Sequence, residues 1–305
     1  MAPARDISDG ICAYLQGGFG NQLFILAAAW EQAERLGCPL YVDTSRFLAG
    51  DPLERAKETP RVFELEGVSN PGVVLGEDSP WYRNSPRRPV AIRQPGRHSH
   101  GLKVYRQPTL GYHADIDLVV PGTTLLGYFQ SWRYFESVSN RLADSLTNAS
   151  LDEEQKRALD EREPGDVITA HVRRGDYLTA AAALHHGIAS ADYFARAISV
   201  LRTLRGADLR VQIYSDSPEL VRSELAGVHN VAFIDDTALG SLGTVLAMSH
   251  GGAFAMSNSS FSWWAAWLMS RRNPDAPVVA PRPWQADGQS GHDQLLPTWL
   301  TLDAR

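Results

Sequence analysis

Residues 171–177 (HVRRGDY) carry the densest group of charged side chains that could do chemistry, at the end of a short apolar run. Arg173 and Arg174 could grip phosphate oxygens bidentately, because a guanidinium stays charged at every relevant pH. Asp176 could orient an arginine or act as a base. The alternative is a local Arg–Asp ion pair at a sheet edge. The convergence of His171, two arginines and an aspartate favours phosphate binding.

A glycine-rich turn occupies residues 17–22 (GGFGNQ). Glycines let the backbone approach a ligand closely, and N–H groups at the start of a following helix suit a phosphate. Asn21 could cap that helix. The spacing fits neither a dinucleotide-binding fingerprint nor a P-loop. A plain tight turn remains an alternative.

Two further segments place hydroxyls and a carboxylate where strands are predicted to end. In residues 214–217 (YSDS), Asp216 could accept hydrogen bonds from a base edge or a ribose diol, or the segment could simply cap the next helix. Residues 257–264 (SNSSFSWW) open a predicted helix, where hydroxyls and free N–H groups form an anion site. The tryptophans that follow have helical spacing and are expected to be core residues.

These segments need a parallel sheet to bring them together. Residues 11–15 predict a strand, residues 21–36 a helix closed by Gly37, and residues 40–42 the next strand. A strand at 123–130 and a helix at 132–146 follow. Strands after residue 166 alternate with helices at 20–25 residue spacing, which is typical of a doubly wound α/β domain. The four segments then lie at the carboxyl ends of strands, where such sheets bind ligands.

A polar break near residues 150–155 predicts a domain boundary. We expect an N-terminal acceptor-side domain at 1–152, a donor-binding domain at 153–285, and a C-terminal tail at 286–305 that packs back on the first domain. Residues 79–114 contain no acidic residue but many basic ones. This stretch is either a solvated loop region or a positive rim for an anionic ligand.

Composition excludes several classes of protein. With 29 basic and 35 acidic residues, the net charge of −6 argues against a general nucleic-acid or anionic-membrane binder. Cys12 and Cys38, the two cysteines, predict free thiols rather than a disulfide framework. No apolar run approaches the ~20 residues needed to span a bilayer, and no secretory signal is visible. A soluble protein of a reducing cytosol fits these features.

The motifs GGFGNQLF at 17–24, HVRRGDY at 171–177, YSDS at 214–217 and SNSSFSWWAAWL at 257–268 resemble, in order and spacing, the α-1,2-fucosyltransferase family GT11. The resemblance covers residues 17–285. It implies an α/β fold of GT-B architecture, with two Rossmann-like domains facing a cleft. It also implies an inverting, metal-independent enzyme with no cofactor, whose donor substrate is GDP-fucose.

The resemblance also implies roles for individual residues. Arg173 is similar to the β-phosphate ligand, with Arg174 supporting it or pairing with Asp176. His171 and Asp216 resemble the residues that hold guanine or ribose. The remaining donor-side residues implied are Gly18, Phe19, Gly20, Ser257, Asn258, Ser259, Ser260 and Phe261. Ser217 departs from the family, in which a second acidic residue is frequent there.

The reaction implied is transfer of L-fucose from GDP-β-L-fucose to the 2-OH of a terminal galactoside, so the acceptor is a galactose-terminated oligosaccharide. Arg173 is the expected catalytic group, with Asp176 as a candidate base and Asn21 as an orienting group. A fucosyltransferase of another linkage (α-1,6 or O-linked) and a non-catalytic GDP-sugar-binding module remain alternatives. A bacterial, cytoplasmic location is expected, and peripheral contact with the inner membrane stays open.

Overall fold

The structure is a computed structural model that describes residues 5–48, 60–83, 103–162, 165–175, 189–284 and 293–305. The chain divides into two compact units, Met1–Asn148 and Ala149–Arg305. Each unit is built on a parallel sheet with helices. The α/β class predicted from the sequence is therefore confirmed, and both units are Rossmann-like, as GT-B proteins require.

The first unit contains a five-stranded parallel sheet in the order β3-β2-β1-β5-β4. Its strands are β1 (Ile11–Tyr14), β2 (Leu40–Asp43), β3 (Val73–Leu75), β4 (Lys103–Arg106) and β5 (Thr123–Leu126). Its α-helices are α1 (Phe19–Leu36), α2 (Pro80–Arg83) and α3 (Ser139–Thr147). The central strand β1 runs directly into the glycine turn, and α1 returns the chain to β2.

Helix α1 begins two residues earlier than predicted. Gly18 is its N-cap residue and makes no side-chain cap hydrogen bond, while Gly37 ends it in the left-handed conformation with φ 59°. The expectation that Asn21 caps the helix is wrong, because Asn21 already lies inside the first turn. Its side chain is therefore available for another contact.

Two other predictions for the first unit need correction. Strand β5 ends at Leu126, four residues before the predicted end. The predicted helix at 132–146 is a short 3₁₀ turn, Trp132–Tyr134, followed separately by α3. Phe135 separates them, because its φ of −144° leaves the helical region. Strands β3 and β4 were not predicted from the sequence.

The second unit contains a six-stranded parallel sheet in the order β11-β10-β9-β6-β7-β8. Its strands are β6 (Ile168–Val172), β7 (Val211–Ser215), β8 (Val231–Phe233), β9 (Ala253–Ala255), β10 (Val278–Arg282) and β11 (Leu300–Asp303). Its helices are α4 (Glu153–Asp160), α5 (Ala191–Arg205), α6 (Pro218–Glu224), α7 (Gly240–Met248) and α8 (Ser260–Arg272). The alternation predicted after residue 166 is confirmed.

Helix α8 packs as the sequence predicts. Trp263, Trp264 and Trp267 are buried, and the Trp263 ring lies 5.0 Å from Trp264 and 6.3 Å from Trp267 between centroids. The indole N–H of Trp263 donates to the Gln294 carbonyl at 2.7 Å. These tryptophans are core residues, so the helix start is held rigidly.

The C-terminal residues belong to the second unit. Leu300–Asp303 forms the edge strand β11, which pairs in parallel with β10. Four residues of the tail predicted at 286–305 therefore complete the β10 edge of this sheet. The part of that tail at 286–292 lies outside the described residues.

Strand β1 carries a fully buried thiol. Cys12 packs with Ile7, Tyr41 and Leu75, and burial raises its pKa well above the ordinary value. Cys38 is partly exposed, and both cysteines are free, as predicted. The carboxyl of Asp43 is also buried, which raises its pKa. The centre of the first sheet is thus closed to solvent.

Two further expectations concern membrane-spanning helices and the acid-free stretch at 79–114. Among the helices formed by described residues, none is both long and apolar enough to cross a membrane. Most of the acid-free stretch at 79–114 falls in residues 84–102, which lie outside the described residues, so its interpretation stays a prediction.

Candidate functional site

The glycine turn after β1 is fixed by a buried glutamine. Gln22 donates from Nε2 to the carbonyls of Gly17 at 2.9 Å and Val62 at 2.8 Å, and its Oε1 accepts from the Glu64 N–H at 3.0 Å. Gly17 has a φ of 79°, a conformation that favours glycine. One side chain therefore joins the turn to residues 62–64.

The N-terminus of α1 meets a carboxylate that the sequence reasoning missed. Glu64 accepts a hydrogen bond from the Phe19 N–H at 2.9 Å. Phe19 and Gly20 are buried, so their predicted contribution to donor binding can come from the backbone alone. An anionic ligand at this helix start would meet the Glu64 carboxylate, which occupies the Phe19 N–H.

Asn21 lies beside a second amide from the end of β5. Its Oδ1 accepts from Gln130 Nε2 at 2.6 Å. Both residues are partly exposed. Gln130 carried no signal in the sequence, because an isolated glutamine after a strand is common.

Arg173 is held by a carboxylate from the neighbouring strand. Its Nε pairs with Asp216 Oδ2 at 2.9 Å, and the two side chains are 27% and 24% exposed. Arg173 follows β6 and Asp216 follows β7, which are adjacent in the sheet. The ion pair therefore presents a partly exposed guanidinium at the carboxyl edge, where a ligand is expected.

Arg174 is buried among protein partners, and the donor-binding role expected of it stays a prediction. Its guanidinium, 3% exposed, binds Glu224 through Nε at 2.9 Å and Nη2 at 2.8 Å. Nη1 donates to the carbonyls of Arg173 and Ala189. Each guanidinium nitrogen is engaged by a partner in the second unit, which favours a structural role for this arginine.

Asp216 holds the residues that directly follow β6. Its Oδ1 accepts from the Arg174 N–H at 2.9 Å while Oδ2 holds Arg173. A Cβ placed on Gly175 would collide with Oδ2, so a glycine is needed there. Asp216 thus acts on the arginine, in addition to the nucleotide contact expected of it. Asp176, the candidate base, lies outside the described residues.

His171 is buried within the same edge. Its Nδ1 lies 3.2 Å from Ser257 Oγ, and its ring is 5.5 Å from the Phe261 ring. Burial, followed by the positive charge of Arg173, lowers its pKa to about 4. The imidazole is therefore neutral at physiological pH and can offer a hydrogen bond without adding charge.

The start of α8 completes this group. Ser259 is the N-cap residue, and its Oγ accepts from the Phe261 N–H at 3.3 Å. Asn258 donates to the Trp284 carbonyl at 3.2 Å. Ser260 is the first helical residue and is partly exposed. The helix begins two residues later than predicted, so Asn258 precedes it.

The structure joins many of the predicted residues into one cluster. Strands β9, β6 and β7 are consecutive in the sheet, and their carboxyl ends carry the cluster. In this cluster His171 contacts Ser257 and Phe261, and Arg173 pairs with Asp216. Gly18, Phe19, Gly20 and Asn21 belong to the first unit.

The lowered pKa of His171 predicts a pH-dependent stability. The unfolded chain takes up a proton near pH 6.5, whereas the folded protein resists it until about pH 4. Stability is therefore lost as pH falls from about 6.5 to about 4, by up to ~1.4 kcal/mol per pH unit. Urea unfolding of the wild type and of His171→Asn should give free energies that diverge across this window. A constant difference between the two unfolding free energies from pH 6.5 to pH 4 would contradict the lowered pKa of His171.

The part of the chain that carries this cluster matches a known protein family. A sequence model of glycosyl transferase family 11 matches residues 122–303, more than half of the chain. The chain belongs to glycosyl transferase family 11. The matched region contains Arg173, Asp216 and the start of α8, so the whole cluster of the second unit lies inside the family match.

Two curated relatives of this family 11 chain are glycosyltransferases of Escherichia coli. An alpha-1,2-colitosyltransferase is 27% identical over 96% of this chain and 99% of its own length. The O-antigen biosynthesis glycosyltransferase WbnK is 26% identical over 94% of this chain and 99% of its own length. The chain is thus similar to glycosyltransferases along nearly its whole length.

Solved structures with a similar fold are fucosyltransferases. NodZ alpha-1,6-fucosyltransferase soaked with GDP-fucose is 19% identical, with a TM-score of 0.46, over 86% of this chain and 92% of that one. POFUT1 in complex with GDP is 12% identical, with a TM-score of 0.42, over 90% and 99% respectively. The fold class of this family 11 chain is evident from its own two parallel sheets.

Proposed function

We propose that the protein transfers L-fucose from GDP-β-L-fucose to the 2-OH of a terminal galactoside, with inversion. The acceptor oxygen forms a bond to the anomeric carbon as the bond from that carbon to the β-phosphate oxygen breaks. GDP leaves, and the hydroxyl proton passes to a base. The observation that carries the proposal is the partly exposed Arg173 guanidinium held by Asp216 at the carboxyl edge of the sheet.

Arg173 supports this reaction through charge. Negative charge grows on the departing phosphate in the transition state, and a preorganised donor stabilises it more than the ground state. Because Asp216 binds Nε, the guanidinium is oriented before the substrate arrives. Pre-orientation avoids a reorganisation cost during the reaction.

The other residues have supporting roles in the proposal. Neutral His171 and Ser257 offer hydrogen bonds to the nucleoside, and the hydroxyl-rich start of α8 faces the diphosphate with Ser259 and Ser260. Asp176 remains the proposed base, carried by the sequence alone. Arg173 supplies the positive charge on the leaving group, so we propose that no metal ion is needed.

A second donor sugar is favoured by one observation. The relative that is 27% identical is named an alpha-1,2-colitosyltransferase, which shares the proposed 1,2 linkage but differs in the sugar transferred. Transfer of colitose by the same cluster is therefore the competing function. The two functions share the phosphate chemistry of Arg173 and differ in the contacts to the sugar.

The deciding experiment incubates the protein with GDP-fucose or GDP-colitose and with lactose, in buffer containing EDTA. We expect a fucosylated product with a 1,2 linkage, identified by methylation analysis, and undiminished turnover in EDTA. Transfer from GDP-colitose alone would favour the competing donor. A 1,6 linkage, or GDP binding without product, would reject the proposed reaction.

A further inference from the structure

The chain after β5 has an unusual backbone. Phe129 has a φ of 50°, in the left-handed region that bulky residues rarely adopt. Such a conformation costs on the order of 1–3 kcal/mol and persists only where surrounding contacts impose it. Strained residues of this kind cluster at ligand sites.

Buried contacts impose this conformation. The Phe129 ring is fully buried, 5.3 Å from the Tyr134 ring and 6.2 Å from the Tyr105 ring. Gln107 Oε1 accepts from the N–H groups of Tyr128 at 3.0 Å and Phe129 at 2.9 Å. The turn is thus held from both its side chain and its backbone.

The strained turn determines what its neighbours do. Tyr128 is left 37% exposed, the opposite of Phe129 beside it. Gln130 is brought to the start of α1, where its Nε2 donates to Asn21 Oδ1 at 2.6 Å. The three consecutive residues 128–130 therefore carry an exposed aromatic ring and an amide that is hydrogen-bonded to Asn21.

One amide atom of Asn21 and one of Gln130 take no part in the hydrogen bond between them. Within the described part of the chain, no hydrogen bond uses Gln130 Oε1 or Asn21 Nδ2, and both residues are partly exposed. One is an acceptor and the other a donor, so together they match a hydroxyl group, which both donates and accepts. An aromatic ring beside a few placed polar groups is the usual make-up of a small-molecule site.

We propose that Tyr128, Gln130 and Asn21 form a subsite for a hydroxyl-bearing sugar ring of the acceptor. Gln130 binds a ring hydroxyl through Oε1, Asn21 binds through Nδ2, and Tyr128 covers the apolar face of the ring. This subsite rests on the proposed function for the identity of its ligand, a β-galactoside. All three residues lie in the first unit, whereas the residues of the Arg173 cluster belong to the second.

Direct binding tests the subsite without turnover. Lactose binding to the full chain is measured by saturation-transfer NMR for the wild type, Gln130→Ala, Tyr128→Ala and the control Gln212→Ala. Gln212 lies on β7 in the second unit and is also partly exposed. We expect Gln130→Ala to weaken lactose binding about threefold to tenfold, the effect of one neutral hydrogen bond. Gln212→Ala should bind as the wild type does.

A second measurement separates contact from a structural effect. Monodeoxy methyl β-galactosides should include one whose loss of a hydroxyl weakens binding to the wild type but not to Gln130→Ala. GDP affinity, measured by calorimetry, should stay within about twofold in both variants, since the Arg173 cluster is untouched. If Gln130→Ala does not fold, Tyr128→Ala carries the test, because its ring is exposed.

Three outcomes would overturn the subsite. They are wild-type lactose affinity in both variants, equal loss of GDP and lactose affinity, and no lactose binding by the wild type. The proposed function fails by a different result, the absence of a 1,2-linked fucosyl product from the wild type. The two failures are therefore distinguishable.

Discussion

Arg173→Lys is expected to lower the rate of acceptor-dependent GDP release from GDP-fucose by at least about 10²-fold, with little change in folding. Removing one preorganised contact to a developing oxyanion typically has an effect of that size. A lysine keeps the charge but has a single nitrogen, which cannot hold Asp216 and a phosphate in the guanidinium geometry. The loss should appear mainly in kcat, since the contact strengthens in the transition state.

The control for this prediction is Arg196→Lys on α5. Arg196 also pairs with an aspartate through Nε, at 2.7 Å from Asp192, but is 39% exposed on the surface of the second unit. Its substitution should leave the rate unchanged. Asp216→Asn should lower the rate in the same direction, because Arg173 loses its charged partner. Turnover by Arg173→Lys within tenfold of the wild type would rule out the assigned role.

Arg174→Met, one position further along, is expected to act on stability instead. Deleting one partner of a buried ion pair typically costs about 3–5 kcal/mol, because the remaining charge loses its compensation. Glu224 is 27% exposed and keeps some hydration, so the lower end, about 3 kcal/mol, is expected. The carbonyls of Arg173 and Ala189 also lose their donor. Urea unfolding at neutral pH measures the change.

The matched control is the double variant Arg174→Met/Glu224→Met. Replacing both charges by apolar side chains should recover part of the stability, since neither charge is then left unpaired. GDP affinity of the folded Arg174→Met protein should remain close to that of the wild type. A stability loss below about 1 kcal/mol, or a selective loss of GDP binding at full stability, would contradict the structural role.

The second unit was largely predictable from its sequence because burial and capping agree there. Helix α5 (Ala191–Arg205) has clear local signals: the side-chain oxygen of Ser190 caps its start by accepting from the Tyr193 N–H, and Gly206 follows its last residue. Strand β9 is buried along its length and its three residues are all apolar. Local signals and tertiary packing point to the same elements.

The first unit was harder to predict because its edge strands have weak patterns. Strand β4 has a basic residue at each end, and two of its residues are exposed. It is a strand because its backbone pairs with β5, a contact that no local pattern reports. Residues that hold the site through such distant contacts, Glu64 and Gln130, were missed for the same reason.

The sequence predicted which residue types form the candidate site, but not which of the two arginines is exposed to a ligand and which is buried. Adjacent arginines at a strand end look equivalent in sequence, yet one is 27% exposed and the other 3%. Glu224, whose carboxylate pairs with the Arg174 guanidinium, lies 50 positions away on α6. Burial by the fold, rather than residue identity, separates the ligand-binding candidate from the anchor.

The buried thiol on the central strand of the first sheet gives the protein an internal reporter of local opening. A thiol reagent reacts with the thiolate, and burial both shields Cys12 and raises its pKa, so alkylation must wait for β1 to separate from its neighbours. Cys38, partly exposed, reacts from the native state and marks the total dose of reagent. The ratio of alkylated Cys12 to alkylated Cys38, followed by mass spectrometry, therefore measures the rate at which this sheet opens, and no added probe is needed.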